Sequence, residues 1–84
     1  MQYIYMKLLT LLATCIHICI ETNNNVLKRL LYDYAIKHIG KKKKILLYIK
    51  IASIDKETEL YKIMYRWIKL HYSQIIHQFI NSDV

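Results

Sequence analysis

Apolar and polar positions divide this 84-residue chain into a continuous apolar start, a short polar break and three further patterned runs. Residues 1–20 (MQYIYMKLLTLLATCIHICI) are apolar apart from Gln2, Lys7, a few hydroxyls and His17. The run from Leu8 to Ile20 falls short of the roughly 20 residues a membrane-spanning helix needs, and suits either a signal-peptide core or a buried helix. Met6-Lys7 followed by LLTLLAT reads as a signal-peptide start, with cleavage after Cys15 or near Thr22. A first core helix is the equally weighted alternative. Glu21-Thr22-Asn23-Asn24-Asn25 forms the linker, because Asn favours turns and caps, and Asn25 is the expected N-cap of the next helix.

From Val26 to Ile39, apolar residues recur at 26, 27, 30, 31, 34, 35 and 39, with Lys28, Arg29, Asp33 and Lys37 on the other side. That is helical spacing, and Gly40 stands where a left-handed C-terminal cap is wanted. Residues 45–54 (ILLYIKIASI) are rich in strand formers, yet a lone strand has nothing to pair with, so a short buried helix is expected. Asp55, Glu57 and Glu59 suit the positive end of a helix. From Leu60 the apolar positions are 60, 63, 64, 67, 68, 72, 75, 76 and 79, opposite Lys62, Arg66, Lys69 and Ser73. The pattern predicts helices over about 1–20, 26–39, 44–52 and 56–80. The expected fold is all-α: three to four helices in a compact bundle or a truncated helical-repeat arrangement. Its organisation would be an apolar segment 1–20, a linker 21–25 and a basic helical domain 26–84.

Composition narrows the picture further. One Gly and no Pro leave little material for the tight turns of a sandwich or barrel. Two cysteines are too few for a disulfide scaffold, and 55% hydrophobic residues exclude a disordered tail. Residues 26–50 carry Lys28, Arg29, Lys37, Lys41, Lys42, Lys43, Lys44 and Lys50 against Asp33 alone, so the entire net charge of +7 sits in this segment.

Candidate chemistry is sparse. Cys15, His17 and Cys19 would share a face in a strand, but in a helix His17 leaves the face that the cysteines share. Structural zinc needs four ligands, and His38, His71 and His77 show no ligand pairing, so core packing is the expected role and no metal or other cofactor is expected. No nucleophile–base–acid set can be assembled, and one glycine cannot make a phosphate loop. No catalytic residue is assigned.

The Lys41–Lys44 run has three readings. It is a solvated turn, a salt-dependent nucleic-acid contact helped by Lys28, Arg29 and Lys37, or a lipid-headgroup contact worth about 1 kcal/mol per lysine. The helix that follows has no polar recognition face, which argues against sequence-specific DNA reading. Tyrosines and Trp67 fall mostly on the apolar faces, where core packing is the default. Trp67 and Tyr72 are candidate anchors for a partner. The apolar stretches exceed what so small a chain readily buries, which favours oligomerisation, a membrane or a partner.

Two segments, LKRLLYDYAIKHIGKKKKILLYIKIAS and ELYKIMYRWIKLHYSQIIHQFI, look like degenerate helix-pair repeats spanning most of 26–80. In their Leu-Leu-Tyr, Tyr-Ala-Ile-Lys and Lys-Lys usage they resemble the ankyrin-like helical multigene-family proteins of African swine fever virus. Thr-Pro-Leu-His punctuation of the standard ankyrin type is absent. The resemblance implies a host-interaction role, in cell tropism or in blunting innate responses, and carries over no site residues. The expectation is therefore a non-enzymatic helical interaction protein with a protein partner, or a second copy of itself. It would act in the host cytoplasm if 1–20 is a core helix. A secreted or membrane-anchored protein held through 1–20, and a nonspecific nucleic-acid binder using 28–50, are the alternatives.

Overall fold

A segment with apolar residues on every side of its helix has no solvent face to offer, so it belongs at the centre of a fold. In the computed structural model, which describes residues 2–82 and the side chains of 7–74 and 77, residues Gln2–Glu21 form such a helix, α1. It is followed by α2 (Asn25–Ile39), a 3-10 turn (Lys41–Lys43), α3 (Lys44–Ala52) and α4 (Glu59–Ser82). The fold is all-α, a compact globule of four helices with no strand among the described residues. Helices α2, α3 and α4 each pack chiefly on α1 and little on one another. Accordingly Leu9, Leu12, Ala13, Ile16, Ile18 and Cys19 of α1 are all buried. The radius of gyration, 12.5 Å, is close to the ~12 Å expected of a globular chain this long.

Each outer helix adds a narrow seam. Helix α2 buries Leu27, Leu31, Ala35 and Ile39, one per turn, and α3 buries Leu47 and Ile51. The turn between α1 and α2 is tighter than a five-residue linker. Asn23 takes a positive φ of 56°, and the Asn24 N–H donates to the Cys19 carbonyl at 2.8 Å, closing α1. Asn24, not Asn25, then caps α2, its side chain accepting from the Leu27 N–H at 3.3 Å. Gly40 has the positive φ expected of it (88°), but its ψ of 152° carries the chain out of the left-handed helical basin toward the lysine turn.

The last helix departs most from its sequence pattern. It begins at Glu59 instead of 56, because Asp55 Oδ1 accepts the Glu57 N–H (2.9 Å) in a turn and Thr58 Oγ1 accepts the Tyr61 N–H (3.2 Å) as the cap. It bends at His71, which has non-helical φ/ψ; this ring lies against Trp67 and within 3.2 Å of the Gln74 side chain. Its buried face is Tyr61 and Ile68, with Met64, Tyr65 and Tyr72 packed against the core. Leu60, Ile63 and Trp67, expected on that face, are exposed instead. The side chains of 75, 76 and 79 lie outside the described residues. The rotation has a local cause: Tyr61 can bury its ring because its hydroxyl finds His17 Nδ1 on α1 at 3.0 Å, the two rings meeting edge to face.

Candidate functional site

Turning α4 toward Tyr61 leaves Ile63, Met64, Trp67 and Ile68 along one wall of a groove. Leu8, Leu11, Leu12 and Cys15 of α1 and Leu27, Leu31 and Tyr34 of α2 complete it. The groove measures about 570 Å³ and none of these side chains is charged. Leu11, Ile63 and Trp67 remain substantially exposed within it, Trp67 at 48%. Leu60, Ile63, Trp67 and Leu70, spaced alternately three and four residues, form an exposed stripe; the spacing is legible in the sequence, but it reads there as a buried face. The contribution of α1 is not legible there, because a helix that is apolar all round does not announce which side stays open.

The two aromatic candidates do not share a surface. Trp67 stands in the groove, whereas Tyr72 is half-buried in a second cleft with Ile18, Thr22, Asn24 and Lys69. The eight basic candidates are likewise dispersed. Lys28 is half-buried and near enough to Cys19 for its charge to act on that thiol. Lys50 is half-buried in another cleft beside Thr10, Thr14 and Asp55. Arg29 and Lys37 are exposed on α2, where Lys28 and Lys37 fall on opposite sides of the helix. Only Lys41, Lys42, Lys43 and Lys44 form a continuous exposed run.

The cysteines are set up for packing. Both are free; burial pushes the Cys15 thiol up to about 11, and burial together with the neighbouring Cys15 pushes Cys19 up to about 12 against the opposing pull of Lys28. A thiol held protonated is a poor nucleophile. His17 leaves their face to meet Tyr61. Among the described residues no three His, Cys, Asp or Glu side chains converge as a metal site, and no helix is long and apolar enough to cross a membrane.

Comparison of the chain with protein families, curated proteins and solved structures finds no match.

Proposed function

We propose that this chain is a non-enzymatic helical interaction protein that takes an amphipathic helix of a protein partner into the groove between α1, α2 and α4. The observation that carries this reading is the uncharged lining of the groove with a half-exposed Trp67 in it. Aromatic side chains set in apolar surroundings concentrate binding energy, because burying them removes much apolar area from water at little rotamer cost. A groove walled by three helices suits a fourth helix, read through anchors at i, i+3 or i+4, and i+7. A host-cell protein is the partner class that the resemblance of residues 26–80 implies. In this reading residues 1–20 act as the core helix, since, among the described residues, six of the fourteen buried hydrophobic ones come from α1.

Selection from a library of displayed helical peptides tests the groove directly. Binders should carry helically spaced apolar anchors, compete with one another, and lose about 2 kcal/mol, roughly thirtyfold, on Trp67→Ala. Their affinity should stay flat between about 50 and 200 mM salt, because no phosphate or counterion is displaced. Binders indifferent to Trp67→Ala, or affinity falling steeply with salt, would refute the reading. Concentration-dependent self-association abolished by the same substitution would make the occupant a second copy of the chain.

A further inference from the structure

Helix α3 is apolar on both sides. Leu47 and Ile51 are buried, while Tyr48, Ala52, Ile45, Ile49 and Leu46 occupy the opposite arc and are exposed. Ile45 and Ile49, one turn apart near the centre of that arc, are 71% and 60% exposed. A surface helix of a soluble domain ordinarily places polar residues there, and this one places none that is charged. The exposed run Lys41–Lys44 leads into its first turn, with Lys44 reaching over the Tyr48 ring at 5.7 Å. From residue 34 to 54 the chain has six lysines and no carboxylate; Asp55 follows the C-terminal end of α3, away from Ile45.

An exposed apolar face bordered by cations on one side of one short helix matches the two-layered chemistry of an anionic membrane surface. Apolar side chains enter the boundary between headgroups and acyl chains, and lysines pair with lipid phosphates while laying their stems along the apolar layer. Nine residues make α3 about 14 Å long, suited to lying in the interface plane. Nucleic acid would satisfy the lysines and leave Ile45 and Ile49 without a partner, since phosphates and sugars offer them nothing apolar. We propose that α3 and the Lys41–Lys44 turn dock on an anionic lipid surface, with Ile45, Leu46 and Ile49 entering it. This face shares no residue with the groove, so the two proposals stand or fall separately.

The test is cosedimentation of the full chain with vesicles of phosphatidylcholine alone and of phosphatidylcholine with phosphatidylserine. The chain should bind the anionic vesicles and leave the neutral ones unoccupied. Lys41→Gln with Lys42→Gln should weaken binding roughly thirtyfold, each lysine near such a surface being worth about fivefold. Ile45→Ser with Ile49→Ser should weaken it about tenfold or more. All four positions are exposed, so unchanged circular dichroism and melting are expected alongside. A salt titration probes the same contact in the unaltered chain, with anionic binding falling as salt rises. Equal binding to both vesicle types, binding to neither, or a serine variant as tight as its parent overturns the proposal. Duplex DNA that displaces the chain from vesicles and binds the serine variant undiminished overturns it too, and assigns the lysines to nucleic acid.

Discussion

Tyr61 joins the central helix to the last one through a single hydroxyl, and its ring is buried because that hydroxyl meets His17. Tyr61→Phe keeps the ring and strands the imidazole partner. The expected cost is about 1 kcal/mol, which for a domain of this size lowers the melting temperature by roughly 4–8 °C. Thermal unfolding of the variant checks it. The two thiols make a second prediction at this scale. Their folded pKa values, about 11 and about 12, lie above the ordinary value of 9.0, so the folded state holds their protons more tightly than the unfolded state does. Burial shifts the Tyr32 and Tyr61 phenols in the same direction. The stability these groups contribute is therefore complete below about pH 9 and is lost as pH rises through 11 to 12. Urea midpoints measured across that window should fall; midpoints that hold or rise above about pH 9 would contradict the buried placement of the thiols.

Among the elements, Gly40 is where sequence expectation and structure part most usefully. A left-handed helical cap tolerates Asn, whereas φ 88° with ψ 152° is a region that only glycine occupies readily. Space is not the constraint, since a Cβ at Gly40 would meet nothing within 4 Å. Gly40→Ala and Gly40→Asn should therefore both destabilise, by about 1–3 kcal/mol in denaturant unfolding, through backbone strain alone. Asn rescue would instead point to the ordinary cap. Helices α2 and α3 are legible in the sequence because the break before the first, Gly40 and the lysine run between them are local signals acting over one turn. The start of α4 is not, because Asp55, Glu57 and Glu59 all favour a helix N-terminus electrostatically, while hydrogen-bond geometry picks Thr58 as the cap.

At the scale of the whole molecule, everything turns on α1. Three helices pack on it and hardly on each other, so losing it would leave α2, α3 and α4 with apolar seams and no common partner. A C-terminally tagged copy made in eukaryotic cells should accordingly keep its full-length mass. Loss of roughly the first 15–22 residues would identify a cleaved signal peptide and refute the core-helix reading. The sequence by itself determined the all-α class, the span of α2 and the concentration of charge in 26–50, since these follow from local periodicity, breakers and composition, while it left residues 1–20 divided between a core helix and a targeting segment. Only the tertiary structure decided which apolar residues are core and which are surface. Leu60, Ile63 and Trp67 have the spacing of a buried face yet stay exposed, and Ile45 and Ile49 are as apolar as Leu47 and Ile51 yet point outward. A single central helix offers only so much perimeter, and each outer helix can bury one narrow seam against it. The apolar surface left over is where both proposed functions reside.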